Sequence, residues 1–230
     1  MGVEILNVDI PAATANGVLV VNLPGVHATS VIELTLAYLI VSARKALMFD
    51  RETRAGRIPI AYNVALGLGQ ELPEPGFDVK GSTIGLVGIG FIGAGLARIL
   101  DFMGARVIAY DPYATTPPAG VELVGRLDEL LERSDIVSLH AKLTPETRRM
   151  IGARELGLMK PSAYLINTAR GDLVDNEALA EALHAGTIAG AAVDVRDTEP
   201  RFAGHPLLAA PNCIVTPHMT GNSVATMQAL

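Results

Sequence analysis

Three polar side chains in the second half of the chain follow apolar runs and could bind an anion or move a proton. Arg170 comes just after a run that ends at Asn167, and its neighbour Gly171 would let a ligand approach closely. A guanidinium in this position could hold a carboxylate through two parallel hydrogen bonds and polarise a neighbouring carbonyl. The alternative is that Arg170 pairs with a helix end or with Asp172, which is the commoner fate of a single loop arginine.

His218 follows the last apolar run, residues 214–216, and Glu199 lies in the loop before it. Imidazole suits proton transfer to or from a hydroxyl, because histidine is the side chain that titrates closest to neutral pH. A carboxylate such as Glu199 would orient its ring. A single histidine after a strand is more often structural, but three such groups at three strand ends favour one catalytic site of Arg170, Glu199 and His218.

Asp194 lies inside the apolar run 188–195. An unpaired carboxylate would be costly in such surroundings, so Asp194 needs a hydrogen-bond donor. An amide group of a cofactor is one candidate for that donor.

A glycine-rich turn in the middle of the chain predicts a dinucleotide site. Gly88, Gly90 and Gly93 form a G-x-G-x-x-G pattern after an apolar run that starts at Thr83. The first glycine permits a tight turn, the second lets a pyrophosphate approach the backbone, and the third lets the following helix pack closely. The N-terminus of that helix, predicted over residues 91–103, then offers free N–H groups to the phosphates.

The context of this motif strengthens the prediction. A second strand, residues 106–110, follows the helix and leads into Asp111, eighteen residues after Gly93. An acid about 20 residues after the glycines holds the adenosine ribose hydroxyls of NAD. The alternative is a nucleotide-free α/β domain in which the glycines serve only tight packing.

Strands and helices alternate along the chain from residue 83 onward, which predicts an α/β fold with a Rossmann-type, doubly wound parallel sheet. Asp175 is predicted to cap a helix over residues 176–185 that Gly186 ends. Before the sheet, Ser30 and Glu33 form a predicted capping box for a long apolar helix reaching residue 54, with Gly56 as its stop. Further short strands are expected at residues 3–8 and 17–22, with a helical turn between them and an irregular connection over residues 59–80.

The composition excludes several classes of partner. Half of the 230 residues are hydrophobic, 18% are charged and the net charge is −6 without a cluster of Lys and Arg. Nucleic acid and anionic membranes are therefore poor partners. The single cysteine, Cys213, allows no internal disulfide and is expected to be a small core residue in a cytoplasmic protein. No Asp, Glu and His residues have a metal-ligand spacing such as HExxH, so no metal is expected.

The sequence resembles the D-isomer-specific 2-hydroxyacid dehydrogenases, the family of D-3-phosphoglycerate, D-lactate, glycerate and formate dehydrogenases. The matching segments cover nearly the whole chain in the family's order, and they are residues 87–93, 111–113, 166–172, 193–195 with 199–200, and 216–218. The resemblance implies reversible, NAD-dependent hydride transfer between the nicotinamide ring and C2 of a D-2-hydroxy acid. Asp111 argues for NAD over NADP, because its carboxylate would repel a 2′-phosphate.

The resemblance also implies roles for individual residues. Arg170 would bind the substrate carboxylate and carbonyl, His218 would be the acid/base and Glu199 its partner. Asp194 would hold the nicotinamide carboxamide. The full set implied to bind the cofactor is Gly88, Gly90, Phe91, Ile92, Gly93, Asp111, Pro112, His140, Thr147, Thr168, Ala169, Asp194 and Gly221.

The family has two domains, and this chain is expected to hold mainly one of them. Residues 1–26 resemble a remnant of the substrate domain, residues 27–218 form the dinucleotide-binding domain, and residues 219–230 begin the returning C-terminal helix. Most of the substrate domain is expected to be missing, and Gly2, Val3 and Glu4 fall where the family has a glycine loop that binds the substrate carboxylate.

Two classes of function follow. The first is an enzyme, or the cofactor domain of one, and the retained Arg170, Glu199 and His218 favour it. The second is a non-catalytic NAD-binding or sensing module, since the family also includes NAD-sensing transcriptional corepressors. A homodimer is predicted in either case, because the apolar helix over residues 30–54 needs covering and the family pairs through this region.

Overall fold

The computed structural model describes residues 8–21, 25–57, 75–197, 199 and 203–229. The glycine loop at residues 2–4, most of the strand expected at residues 3–8 and most of the connection at residues 59–80 lie outside the described residues. The helical turn expected between the first two strands is present as α1 (Ile10–Ala15), capped by Asp9. The described part of the second expected strand, residues 17–21, has no strand structure.

Seven parallel strands form one sheet, in the order β3-β2-β1-β4-β5-β6-β7. They are β1 (Thr83–Val87), β2 (Arg106–Tyr110), β3 (Val121–Leu123), β4 (Ile136–Leu139), β5 (Tyr164–Asn167), β6 (Gly190–Val193) and β7 (Cys213–Val215). The strand order reverses between β1 and β4, which is the arrangement of a doubly wound sheet. The predicted fold class is confirmed.

Helices cover both faces of this sheet. The described helices after α1 are α2 (Ala28–Ala43), α3 (Ala46–Arg54), α4 (Phe91–Phe102), α5 (Leu127–Arg133), α6 (Ala153–Leu158), α7 (Asn176–Ala185) and α8 (Val224–Ala229). Residues of α2 and α4 share one apolar cluster with the strands, and residues of α5, α6 and α7 share the other. The side chains of one strand alternate between two apolar clusters: Leu86 packs with Leu39 of α2 and Leu96 of α4, whereas Val87 packs with Leu130 of α5. Since parallel strands are buried on both faces, their apolar runs are nearly continuous.

The predicted helix over residues 176–185 is confirmed at both ends. The Asp175 side chain accepts a hydrogen bond from the Ala178 N–H at 3.2 Å, which satisfies a free donor of the first turn. Gly186 ends the helix with a φ of 67°, a left-handed conformation that glycine adopts at little cost.

The long N-terminal helix differs from its prediction. It divides into α2 and α3 at Lys45, whose φ of 51° breaks the helical backbone. The predicted capping box is wrong, because His27 is the N-cap and Ser30 lies inside the helix. The Ser30 hydroxyl instead meets Ser223 Oγ at 2.7 Å and Thr226 Oγ1 at 3.0 Å, near the end of the chain.

Gly56 follows the end of α3 with a φ of 71°, as predicted for the stop of this region. Among the described helices, none combines the length and apolar composition needed to cross a bilayer. Within the described ranges, no three His, Cys, Asp or Glu side chains come together in a way that could hold a metal ion.

Candidate active site

The glycine turn lies at the carboxyl end of β1, beside the point where the strand order reverses. Gly88 has a φ of 95°, and a Cβ there would come within 2.8 Å of the His140 carbonyl. A Cβ on Gly93 would come within 2.3 Å of the Gly88 oxygen, so the start of α4 can pack on the turn only with glycine at that position. The Cβ position of Gly90 has no atom within 4 Å, which leaves open space beside the backbone for a ligand.

Asp111 follows β2 and is bonded to the same turn. Its carboxylate accepts hydrogen bonds from the Ile89 N–H and the Tyr113 N–H, both at 3.0 Å. A carboxylate has about four acceptor sites, so two remain for the hydroxyls of a ribose. Pro112, next in the chain, is exposed beside it.

His140 lies at the carboxyl end of β4, with its backbone against Gly88. Its Nε2 is 3.0 Å from the Oγ of the buried Ser138. Burial lowers the pKa of His140 to about 4, so the ring is neutral at pH 7. The Thr147 hydroxyl donates to the Lys142 carbonyl at 2.7 Å, which closes the loop that follows His140.

The loop after β5 carries Thr168, Ala169 and Arg170. The buried Asn167 side chain accepts from the Ala169 N–H at 3.1 Å and donates to the Arg170 carbonyl at 2.9 Å. This pair of bonds fixes the turn in which Arg170 stands. The Thr168 hydroxyl meets Thr35 Oγ1 of α2 at 2.9 Å, so the loop is also bonded to that helix.

The Arg170 guanidinium donates to the Ala169 carbonyl at 2.7 Å. Asp172 is the side chain that the alternative prediction paired with Arg170, and it forms an ion pair with Arg148 at 2.8 Å. A Cβ on Gly171 would come within 2.0 Å of the Arg196 carbonyl carbon. The loops that follow β5 and β6 are therefore in direct backbone contact, which places Arg170 beside the segment that leads to Glu199.

His218 and Glu199 form a hydrogen-bonded pair, with Nδ1 of the ring 2.6 Å from Oε2 of the carboxylate. The other carboxylate oxygen accepts from the Arg196 N–H at 3.0 Å, so Glu199 is held from two sides. About half of the His218 side chain is exposed. Its backbone has a φ of 56°, a left-handed conformation that is uncommon outside glycine and occurs at functional sites.

Asp194 is completely buried at the end of β6. Its carboxylate accepts four hydrogen bonds from the chain: from the Thr216 hydroxyl at 2.5 Å, the Met219 N–H at 2.9 Å, the Thr220 N–H at 2.8 Å and the Thr220 hydroxyl at 2.7 Å. Burial opposes ionisation, but these hydrogen bonds outweigh it and hold the pKa of Asp194 below its usual value. The donor that the sequence required is thus supplied by the chain itself.

Thr216, at the end of β7, is also bonded to α2. Its Oγ1 is 2.6 Å from the hydroxyl of Tyr38. Gly221 lies close to the start of the same helix, since a Cβ on it would come within 3.3 Å of His27 Nδ1. Helix α2 therefore contacts the loops after β5 and β7, and so both sides of the candidate site.

All these groups lie at the carboxyl edge of the sheet, where parallel α/β folds bind their ligands. The ends of β1, β2 and β4 bring together the glycine turn, Asp111 and His140, and the ends of β5, β6 and β7 bring together Arg170, Glu199 and His218. Five residues that hold these loops had no role predicted from the sequence: Thr35, Tyr38, Asn167, Thr216 and Thr220. For Thr35 and Tyr38 the only signal was a hydroxyl in a mostly apolar helix, which Ser30 and Ser42 share.

Comparison with known proteins shows which family the chain belongs to. Residues 36–220 match the family model described as D-isomer specific 2-hydroxyacid dehydrogenase, NAD binding domain. The chain belongs to this family. The resemblance seen in the motifs is thereby confirmed, and the matched range includes the glycine turn, Asp111, Arg170, Glu199 and His218.

Among relatives in the family, glyoxylate reductase of Korarchaeum cryptofilum is 41% identical over 96% of this chain and 65% of its own length. D-3-phosphoglycerate dehydrogenase of Methanocaldococcus jannaschii is 38% identical over 99% of this chain and 42% of its own length. The chain thus spans less than two thirds of these relatives. A crystal structure of the NAD-complexed D-isomer specific 2-hydroxyacid dehydrogenase of Lactobacillus delbrueckii ssp. bulgaricus superposes with a TM-score of 0.82, at 31% identity over 99% of this chain and 71% of that one.

The residues present fit the dinucleotide of the family's NAD binding domain. The open space beside Gly90 lies where the pyrophosphate approaches the backbone, and Asp111 keeps two acceptor sites for ribose hydroxyls. The N-terminus of α4, which begins at Phe91, carries no side-chain cap and leaves its first N–H groups for the phosphates.

Proposed function

We propose that the chain catalyses reversible hydride transfer between NAD and C2 of a D-2-hydroxy acid, as the nucleotide-binding part of a D-2-hydroxyacid dehydrogenase. The observation that carries the proposal is the 2.6 Å contact between His218 and Glu199 at the edge of the sheet that holds the glycine turn and Arg170. A protein that only bound NAD would have no physical need for an oriented imidazole and a guanidinium at that edge.

The contact with Glu199 assigns the two ring nitrogens of His218. A carboxylate only accepts, so Nδ1 carries a proton toward Glu199 and Nε2 is left for the substrate. In reduction, a protonated His218 donates from Nε2 to the carbonyl oxygen of the 2-oxo acid. In oxidation, the neutral ring takes the hydroxyl proton from the 2-hydroxy acid.

Arg170 would bind the substrate carboxylate through parallel hydrogen bonds and stabilise charge on the carbonyl oxygen. Its position is fixed by the Asn167 turn and by the contact of Gly171 with Arg196. The nicotinamide ring, when bound, supplies or accepts the hydride. His140, neutral because burial holds its pKa at about 4, would line the cofactor side without adding charge.

Asp111 supports NAD as the preferred cofactor. Its carboxylate faces the glycine turn through Ile89, so a 2′-phosphate on the adenosine ribose would meet a negative charge. The named relatives act on glyoxylate and D-3-phosphoglycerate by their names, which supports a small 2-oxo or 2-hydroxy acid as the substrate class.

The test is NADH oxidation by the chain with glyoxylate, pyruvate and hydroxypyruvate. We expect turnover that falls by about 10²–10⁴-fold in His218→Asn, since this is the contribution of a positioned acid/base. Arg170→Lys should raise KM for the 2-oxo acid, because an ammonium cannot reproduce the two parallel bonds. Arg148→Lys, which alters the ion pair with Asp172, is the control, and it should change neither the turnover nor the KM for the 2-oxo acid.

The second candidate function is an NAD-binding interaction module without catalysis. It is favoured by one observation, that the residues that fit the dinucleotide, the open space beside Gly90 and the Asp111 carboxylate, need no acid/base group to bind it. Tight NADH binding without turnover of any of the three 2-oxo acids would favour this module and contradict the enzyme.

The proposed cytoplasmic location rests on the single cysteine, Cys213, whose thiol pKa burial raises to about 12.

A further inference from the structure

We propose that Arg196 is a positioning residue, and that its guanidinium holds the loop of His218 against the loop of Glu199. The proposal rests on the proposed function, because these two residues form the proton-transfer pair of that reaction. The family resemblance implied no role for Arg196.

The first step is that the two partners of this pair come from different loops. Glu199 lies in the loop after β6 and His218 follows β7, so their 2.6 Å contact depends on how the two loops lie against each other. Proton transfer needs the ring within hydrogen-bond reach of the groups it serves. A connection between the loops must therefore fix their separation.

The second step is that Arg196 bonds to both loops. Its backbone N–H donates to Glu199 Oε1 at 3.0 Å, and Nη1 of its guanidinium donates to the Thr216 carbonyl at 2.9 Å. Only Pro217 separates Thr216 from His218, and the proline ring fixes its own φ. A shift of the Thr216 carbonyl is therefore passed to His218 through a stiff residue.

The third step is the burial of the guanidinium. Arg196 is only 4% exposed. Burial raises the pKa of the Cys213 thiol and the positive charge of Arg196 opposes that rise, so the guanidinium lies close to the first residue of β7. A hydrogen bond from a charged donor is stronger in such surroundings than in water. An apolar side chain of similar length could fill this space without burying a charge, so packing alone does not require arginine here.

Arg196 also touches the loop that carries Arg170. A Cβ on Gly171 would come within 2.0 Å of the Arg196 carbonyl carbon, so this residue contacts all three loops of the candidate site. The contact with Gly171 is made by the backbone and remains when the side chain is replaced, whereas the bond to Thr216 is lost. Side-chain variants of Arg196 therefore test the bond to Thr216 by itself.

Arg196→Met is the decisive variant, because it keeps most of the length of the side chain and removes every donor. We expect the His218–Glu199 contact to be lost and kcat to fall by about 10- to 100-fold, since misplacing a reacting group by about 1 Å costs up to the larger value. KM for the 2-oxo acid and the dissociation constant for NADH should change by less than about threefold, because no hydrogen bond to either ligand is removed.

Arg196→Lys is the conservative variant. Lysine keeps the charge and a donor for the Thr216 carbonyl but loses the planar guanidinium. Its kcat should therefore lie between those of the wild type and Arg196→Met. If Arg196 only filled space, methionine would serve at least as well as lysine, and a kcat of Arg196→Met equal to or above that of Arg196→Lys would contradict the proposal.

Two measurements on the 230-residue chain need no turnover. Ring ¹⁵N resonances of His218, assigned by their loss in His218→Asn, report whether Nδ1 is bonded to a carboxylate, and they should shift in Arg196→Met. The guanidinium N–H resonances of Arg196, assigned by their loss in Arg196→Lys, should exchange slowly with water in the wild type. An inactive wild-type chain would defeat the proposed function and leave the role of Arg196 to be decided by these resonances.

Arg133→Met is the matched control. The Arg133 guanidinium donates to Glu122 at 2.8 Å and to Glu129 at 2.7 Å. Arg133 ends α5 shortly before β4 begins, and so lies at the opposite edge of the sheet from His218. The same chemical change there should leave the His218 resonances and kcat unchanged.

The outcomes decide whether Arg196 positions the pair. Shifted His218 resonances in Arg196→Met, with kcat lowered and partly restored in Arg196→Lys, support the proposal. Unchanged His218 resonances in Arg196→Met would overturn it, whatever the stability of the variant. Should Arg196→Met fail to fold, slow guanidinium exchange in the wild type with shifted His218 resonances in Arg196→Lys would support the proposal, and fast exchange would overturn it.

Discussion

The candidate site residues of this chain are held mainly by hydrogen bonds with the backbone of their neighbours. Glu199 accepts from the Arg196 N–H, Asn167 bonds both Ala169 and Arg170, and Asp111 accepts from Ile89 and Tyr113. Each of these carboxylate or amide side chains therefore stabilises a backbone turn and could also bind a ligand. Substitutions at such positions change loop geometry together with ligand contacts, so the variants below are paired with controls.

Asp111→Ala is predicted to weaken NADH binding by about 10- to 100-fold, since hydrogen bonds to a charged group are worth about 1.5–3 kcal/mol. Asp111→Asn, which keeps an acceptor for one N–H, should lose less NADH affinity and gain affinity for NADPH because the negative charge is gone. Calorimetric titration with both nucleotides measures this. Asp128→Ala, which removes a surface ion pair with Arg154, is the control, and equal NADH and NADPH affinities in the wild type would contradict the role of Asp111.

His140 makes stability depend on pH. Its pKa is about 4 in the folded chain because of burial, and near 6.5 when exposed on unfolding. Between these values the unfolded state binds the extra proton, so the free energy of unfolding falls as pH drops from 6.5 toward 4, by on the order of 1–3 kcal/mol in total. Above pH 6.5 both states are neutral and this contribution is constant.

Urea denaturation of the wild type and His140→Asn at pH 7.5, 6 and 5 tests this dependence. Carboxylates contribute equally to both proteins, so the difference in slope isolates His140. We expect the variant to lose less stability on acidification than the wild type. Parallel pH profiles for the two proteins would show that His140 is not buried neutral.

At the scale of elements, the sequence predicted correctly those helix ends that depend on contacts between residues close together in the chain. Asp175 and Gly186 bound α7 as expected, because capping and a left-handed stop depend on residues within one turn. The break between α2 and α3 at Lys45 and the role of Ser30 were not predictable, since Ser30 bonds Ser223 and Thr226 almost 200 residues away. The carboxyl-edge position of Arg170, Glu199 and His218 followed from strand ends, but the bonds that hold them did not.

Gly171→Ala is the sharpest prediction at this scale. The added Cβ would lie 2.0 Å from the carbonyl carbon of Arg196, which is backbone and cannot rotate away, so the loops after β5 and β6 must separate. We expect stability to fall by about 1–3 kcal/mol and turnover to fall more than tenfold, because Arg170 moves away from His218. Thermal unfolding and NADH oxidation measure the two effects.

Gly157→Ala is the control for Gly171→Ala. Its Cβ position in α6 has no atom within 4 Å, and alanine favours the helical backbone over glycine by about 1 kcal/mol. This variant should be as stable as the wild type or more so, with unchanged turnover. A Gly171→Ala protein that behaves like it would show that the two loops are not tightly coupled.

At the scale of the whole molecule, α2 belongs with the sheet although it precedes β1 by many residues. Its Tyr38, Leu39 and Ala43 are buried in one apolar cluster with β1 and α4. This packing supports the proposal that α2 belongs to the dinucleotide-binding unit, which is proposed to extend from residue 27 to residue 218. The α8 helix meets Ser30 at the start of α2, which places the end of the chain next to that boundary.

The chain is predicted to form a homodimer in solution. Apolar side chains stay exposed in this region, including Ile40 of α2 at 36% and Leu47 of α3 at 53%. Light scattering at micromolar concentration should give twice the chain mass of 24.1 kDa. Leu47→Glu should shift the chain toward a monomer, whereas Leu208→Glu, an equally exposed leucine after β6, should not, and a wild-type monomer would contradict the prediction.

The hydrogen bonds from α2 also fix the direction of their protons. Thr216 gives its one hydroxyl proton to the Asp194 carboxylate, so the Tyr38 hydroxyl must donate to Thr216. Both hydroxyl protons point along the series toward the Asp194 carboxylate, which has no proton to return, so a relay would require each hydroxyl to turn away from it. The series does not reach the His218 ring, which is about half exposed and can exchange its proton directly with water.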